Sequence, residues 1–223
     1  MLFGVIFLMT AYLDNSATTP VCGEAVEAMK TAVTELWGNP SSLHQKGIEA
    51  DEMLENARSN IARRLFCRDD EVYFTSGGTE SNNLAVQGAA HAMRRRGRRI
   101  VTTSVEHPSI DETVKHLENE GFEVIRLGVD KNGRISEREL FEAVTPDTIL
   151  VSIMAVNNET GFIVDVKRLY KLVKKKNPRT IVHIDAVQGF LKVPLDGDLI
   201  SISGHKIHAS KGIGALYIRK GIR

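Results

Sequence analysis

Two stretches near the C-terminal end decide the fold: Thr180-Ile181-Val182-His183-Ile184-Asp185 and Leu199-Ile200-Ser201-Ile202-Ser203-Gly204-His205-Lys206. Each is a short run of apolar and β-branched residues that gives way to polar ones, the pattern of a buried strand opening into a loop. Ligand sites of parallel α/β sheets lie just beyond such carboxyl ends. Asp185 and Lys206 both fall there.

Outward from these runs, strand and helix patterns alternate. An apolar stripe at helical spacing covers Ser42 to Phe66. Strands are expected at Val72–Thr75, Arg99–Thr103, Glu123–Leu127, Thr148–Val156 and Gly214–Ile218. Helices are expected at Glu80–Arg96, Ser109–Glu120 and Val166–Lys175, the last stopped by Asn177-Pro178. Ser136 caps a further helix to Val144, with Glu139 at the capping-box position. The alternation predicts an α/β fold, a mostly parallel sheet flanked by helices on both faces.

Composition narrows the class. At 223 residues, 42% hydrophobic and 26% charged, the chain reads as one large globular domain able to bury a core. A net charge of +1 gives no global attraction to nucleic acid or an anionic membrane. The basic run Arg94-Arg95-Arg96-Gly97-Arg98-Arg99 reads as the last turn of a helix and its glycine stop. Two cysteines, Cys22 and Cys67, do not make a disulfide scaffold and read as inert thiols. The apolar start, Met1 to Thr10, lacks a signal peptide's basic region and cleavage site and is too short to span a bilayer. It reads as an upstream extension or an extra edge strand, and the chain is expected to be cytoplasmic.

Several loops carry chemistry-bearing residues. Ser76-Gly77-Gly78-Thr79-Glu80 joins a strand to a helix. Glycines let backbone approach a ligand, and a helix N-terminus attracts phosphate; a plain turn with a Thr cap is the alternative. His107, fixed by Pro108, can stack on an aromatic ring and shuttle protons, or serve as an ordinary loop histidine. Glu106 beside it is a rival acid expected to face solvent. Asn157 and Asn158 end the longest strand and either bond a phenolic oxygen or cap the next turn. Asp185 either faces a pyridinium nitrogen or caps a helix, and Gln188 lies close behind it. Ser203 and His205 can hold phosphate while Lys206 reaches an aldehyde carbon as a Schiff-base amine; Lys211 is the weaker candidate. His205 and His208 lack a third metal ligand, so no metal site is expected. An acid and a lysine from two neighbouring strands, with a phosphate loop and a stacking histidine, are what pyridoxal 5′-phosphate (PLP) chemistry requires.

On these segments the chain resembles the class V aminotransferases, specifically the NifS/IscS-type cysteine desulfurases. The matching stretches are Tyr12 to Pro20, Gly38 to His44, Phe74 to Asn83, Glu106-His107, Val151 to Glu159, His183 to Gln188 and Ser203 to Lys206. The resemblance implies a fold type I PLP-binding large domain at residues 12–223, preceded by an extension at 1–11 and lacking the C-terminal small domain. It implies Lys206 as the Schiff-base lysine, His107 as stacking and proton-moving residue, and Asp185 on the ring nitrogen. Asn158 and Gln188 would serve the ring hydroxyl side; Gly78, Thr79, Ser203 and His205 would hold the phosphate. The implied reaction takes sulfur from L-cysteine, leaving L-alanine, in a homodimer that feeds an iron–sulfur scaffold or other sulfur acceptor.

Three departures accompany the resemblance. The family's persulfide cysteine lies beyond Arg223, and neither Cys22 nor Cys67 matches it. Ala209-Ser210 stands where the family reads Gly-Pro, and Pro194 to Asp198 is shorter than the family norm, which threatens the spacing of Lys206 from Asp185. The expectation is therefore a desulfurase whose activity as this truncated chain is doubtful. A non-catalytic PLP-binding or interaction remnant, or another class V enzyme such as a selenocysteine lyase, are the alternatives.

Overall fold

The computed structural model describes residues 11–222; the apolar start at 1–10 lies outside them. In chain order the elements are α1 (Gly23–Thr34), α2 (Gln45–Leu65), β1 (Val72–Thr75), α3 (Gly78–Met93), β2 (Arg99–Thr103), α4 (Pro108–Asn119) and β3 (Glu123–Leu127). There follow α5 (Glu137–Ala143), β4 (Thr148–Met154), α6 (Val166–Lys176), β5 (Ile181–Asp185), β6 (Leu199–Ser203) and β7 (Gly214–Ile218). The seven strands form one sheet in the order β1-β7-β6-β5-β4-β2-β3. β7 runs antiparallel to both its neighbours; the other pairings are parallel.

β4, β5 and β6 are buried at every position, their polar residues Ser152, His183, Asp185, Ser201 and Ser203 included. One face, with Ile100, Leu150, Ile181 and Leu199, packs against Val86, Ala90, Ile110 and Val114 of α3 and α4. The other, with Val151, Val182, Ile184 and Ile200, packs against Leu140 of α5 and Leu169 and Val173 of α6. The side-chain period of two therefore puts Ser152, Met154, His183, Asp185, Ser201 and Ser203 on the α3 face.

Helix ends follow local capping. His44, Ser136 and Asp165 accept backbone N–H bonds from Gly47, Glu139 and Arg168. The helix expected from Ser42 to Phe66 accordingly begins at Gln45, and Phe66 ends it in the left-handed region at φ 55°. α3 stops at Met93, so Arg94–Arg96 lie in the turn beyond it and not in the last helical turn. Gly97 is required there by close approach: a Cβ would sit 2.2 Å from the Asp147 carbonyl oxygen. β4 ends at Met154, earlier than its apolar run, because the chain pairs Val156 with Ile163 in an isolated bridge. α1 was not anticipated; it buries no residue, so its sequence carries no inward-facing stripe.

The short connection before β6 does not disturb the strand it feeds. Asp198 is 2% exposed, and its carboxylate accepts from the Val182 N–H at 2.9 Å and the Tyr170 hydroxyl at 3.1 Å, with Lys174 paired to it. Its backbone bonds Val182 O and Arg219 N. These bonds fix β6 against β5 and β7.

Candidate active site

The carboxyl ends of β1, β2, β4, β5 and β6 share one edge of the sheet, and a cavity of about 560 Å³ opens there. All the residues singled out as cofactor-binding or catalytic line it: Gly78, Thr79, His107, Asn158, Asp185, Gln188, Ser203, His205 and Lys206.

Asp185 ends β5 and is 5% exposed. Its Oδ1 accepts from the Val187 N–H at 2.9 Å and its Oδ2 from Asn82 Nδ2 at 2.7 Å. Burial pushes its carboxyl above the usual range, while those two bonds and the neighbouring His107 and Lys206 pull the other way. Lys206 sits in the 3-10 turn Gly204–Lys206 that follows β6. Its amine donates to the carbonyls of Ser16 and, at 2.7 Å, Ala17. Burial and the charge of Lys192 lower its pKa, opposed by Asp14 and Asp185. A lysine so depressed is a better nucleophile at neutral pH.

The opposite end of the cavity is built for an anion. α3, sixteen residues long, starts at Gly78 with no side chain capping it, so its first N–H groups and the positive end of its dipole face outward. At Gly78 a Cβ would meet Val187 Cγ2 at 2.5 Å, so any other residue would have to push that side chain aside. Beside it Ser203 Oγ is buried and has no hydrogen-bond partner. His205 bonds Thr18 through Nδ1 at 3.1 Å, and its pKa is lowered by burial and by Lys206 and Lys211.

His107 caps α4: its Nδ1 accepts from the Ser109 N–H at 3.1 Å, which leaves Nε2 as the protonated nitrogen of the neutral ring. The two amides divide their work. Asn157 Oδ1 accepts from Glu159 N, Thr160 N and Thr160 Oγ1, capping the turn, while Asn158 alone faces the cavity. Gln188 donates to Ser16 O at 2.7 Å. Lys211 lines a shallower neighbouring hollow and not the Lys206 cavity. His208 bonds Pro20 O, away from His205.

An aminotransferase class-V profile matches residues 11–223. The chain belongs to the class V aminotransferase family. It is 47% identical over 217 residues to "Cysteine desulfurase IscS" of Methanosarcina thermophila, a match covering 95% of this chain and 53% of that protein. It is also 47% identical to the "NifS/IcsS protein homolog" of Lactobacillus delbrueckii subsp. bulgaricus, over 94% of this chain and 56% of that one. Its fold superposes on a solved "NIFS-LIKE PROTEIN" with a TM-score of 0.93 at 44% identity, covering 96% of this chain and 60% of that structure. The chain thus spans about half the length of the curated relatives it matches.

In this class V chain the structure adds residues that sequence reading gave no role. Asn82 lies one helical turn after Gly78, so it lines the same cavity, and the i, i+4 spacing was the available signal. Its Nδ2 joins Ser109 to Asp185, leaving Oδ1 buried without a partner. Ser16 and Ala17 cross the cavity mouth; nothing in their local sequence announces that. Thr19 ties this strap down, its N–H and hydroxyl both donating to His205 O. Glu106 corrects an expectation. Its carboxyl turns inward and not to solvent, with Oε1 accepting from Thr103 Oγ1 at 2.6 Å and Met154 N at 3.2 Å.

Proposed function

We propose that this chain is the pyridoxal 5′-phosphate-binding large domain, residues 12–223, of a cysteine desulfurase that acts on L-cysteine. One observation carries the reading. Asp185 and Lys206 line a single cavity whose far end is the uncapped start of α3 beside the unpartnered Ser203 hydroxyl.

The donor set suits that cofactor. The α3 N–H groups, Thr79, Ser203 Oγ and His205 would hold a dianionic phosphate. A cationic ring N–H finds the Asp185 carboxylate, whose burial without such a partner raises its pKa. PLP, when bound, supplies an aldehyde that condenses with amines and a protonated ring that accepts the electron pair released from a substrate.

The chain's own residues then have separable tasks. Lys206, depressed in pKa, presents an amine lone pair and can carry a proton to or from the substrate carbon. Asp185 keeps the ring nitrogen protonated, and Asn82 and Val187 N–H hold that carboxylate in place. His107, its Nδ1 committed to Ser109, offers Nε2 as the proton-bearing atom facing the cavity. Asn158 and Gln188 orient the ring hydroxyl side. The strap at Ser16–Ala17 narrows the mouth and limits water.

Sulfur transfer needs a thiol that reaches the cavity. Neither Cys22 nor Cys67 lines it, and burial with the charge of Glu71 and Asp69 pushes the Cys67 thiol up to about 11. We therefore assign the sulfur-accepting thiol to a segment or partner outside these residues, within a cytoplasmic homodimer that serves an iron–sulfur scaffold or other sulfur acceptor. The 223-residue chain alone is expected to bind cofactor and release negligible sulfide from cysteine.

The test is covalent trapping. PLP added to the purified chain, then reduced with borohydride, should label the peptide containing Lys206 by mass spectrometry. A Lys206→Ala protein that keeps the label would overturn the assignment.

A further inference from the structure

Glu106 is a buried ionisable group next to the cavity for which the proposed reaction has no task. The residue as a whole is half-exposed, yet its carboxyl is closed off. Oε1 takes two bonds, from the Thr103 hydroxyl at the end of β2 and from the Met154 N–H at the end of β4. Oε2 is buried with no partner. The hollow around it is apolar, walled by Val105, Val129, Ile135, Ile153, Phe162 and Val164. An ionised oxygen there would be charged, desolvated and unbonded; a protonated one is far less costly.

The position matters because the bridge borders the other cavity. Met154 does so directly, and His107 is the next residue after Glu106. We infer that Glu106 is a neutral, proton-carrying strut that fixes the His107 loop to the carboxyl end of β4 and so makes one wall of the active-site cavity sensitive to alkaline pH. Glu106 is a positioning residue: it acts through His107 and Met154. Its effect on cofactor retention rests on the reading proposed above, whereas the strut itself does not.

The electrostatics agree. Burial, with the negative charge of Asp185 from β5, pushes the Glu106 carboxyl up to about 8 against the two hydrogen bonds. The hollow contributes no other titratable side chain among the described residues. The folded state therefore holds a proton that the unfolded chain has released by about pH 5. Stability from this group is full below the unfolded pKa and is lost as pH rises through about 8.

The experiment compares the full-length chain with Glu106→Gln, which keeps the shape and neutrality of the protonated acid. Thermal unfolding is followed from mildly acidic to alkaline pH. The Tm of the Gln variant minus that of the parent should grow with pH and level off above the carboxyl's titration. Thr103→Val, which removes a bond favouring the ionised form, should move that titration upward. Amide exchange at Met154 and Ser109 should speed up above the titration in the parent, relative to Gln at the same pH. A pH-independent Tm difference, with equal exchange in both proteins, would overturn the strut. PLP affinity is the separate arm: the parent's affinity relative to that of Gln should fall by up to about tenfold from about pH 7 to about pH 9, because one proton on Glu106 is linked to binding while the titration of Lys206 is common to both proteins. If PLP fails to bind either protein, the cofactor reading falls, while the melting and exchange arms still decide the strut.

Discussion

Two sets of buried polar groups lie on the same face of the sheet, a few ångströms apart along the strands. Midway, His183 bridges three strands: its Nδ1 bonds Ser152 Oγ at 2.9 Å and its Nε2 bonds Ser201 Oγ at 2.9 Å. Both ring nitrogens and both hydroxyls are matched. At the carboxyl edge of that face Asn82 Oδ1 and Ser203 Oγ are buried and unmatched, and on the other face so is Glu106 Oε2. Chemically similar residues are thus used for cohesion in the middle of the sheet and held in readiness at its edge. An unmatched buried group costs about 1–3 kcal/mol, so a fold keeps a cluster of them where they serve something other than stability.

The largest expected effect on ligand binding separates the two roles at Asp185. Asp185→Asn should weaken PLP binding by roughly ten- to a hundredfold, from the loss of a charge-assisted bond of about 1.5–3 kcal/mol. It should also raise the Tm of the cofactor-free protein, because an amide escapes the burial penalty of the carboxylate. Asn82 can rotate its amide to accept from the new one. A variant that binds PLP as the parent does would break the contrast.

Next is His183→Leu, which leaves Ser152 and Ser201 unmatched. The expected loss is about 2–4 kcal/mol, or roughly 5–12 °C in Tm by calorimetry. Burial holds the His183 pKa down at about 3. The parent should therefore lose stability as pH falls below the ordinary histidine range toward about 3, and the Leu variant should lack that component.

The smallest effect is the sharpest. Ser201 and Ser203 lie two residues apart on β6, both buried. Ser201→Ala should cost about 1–2 kcal/mol, since it strips a partner from His183, whereas Ser203→Ala should stay within about 0.5 kcal/mol of the parent. Ser203→Ala should instead weaken retention of inorganic phosphate or PLP. Equal melting losses for the two variants would erase the distinction.

Much of this was legible before any coordinates. β4, β5 and β6 are legible as short runs of apolar and β-branched residues that give way to polar ones, and the residues after them have to converge once the sheet is parallel. The order of the strands, with β7 inserted antiparallel between β1 and β6, was not, because hydrophobic pattern carries no information about neighbours. Ser16 and Ala17 were invisible for a different reason: they act through backbone carbonyls, which any residue possesses. Asn82 had the right helical spacing, but an amide among the polar residues of α3 stands out only when its partner is known. Glu106 was misread because an acid beside a loop histidine looks solvated, and only Thr103 and the Met154 N–H reveal where it turns.

The strap that closes over Lys206 has a consequence for how the molecule assembles. Thr19 and Ser16 bond residues 205 and 206, nearly the whole chain away. Contacts of such long sequence separation form late, after the loops between them have been closed at an entropic cost. During synthesis the strap emerges long before residues 205 and 206, so the cavity stays uncovered until β6 has been made and has joined the sheet.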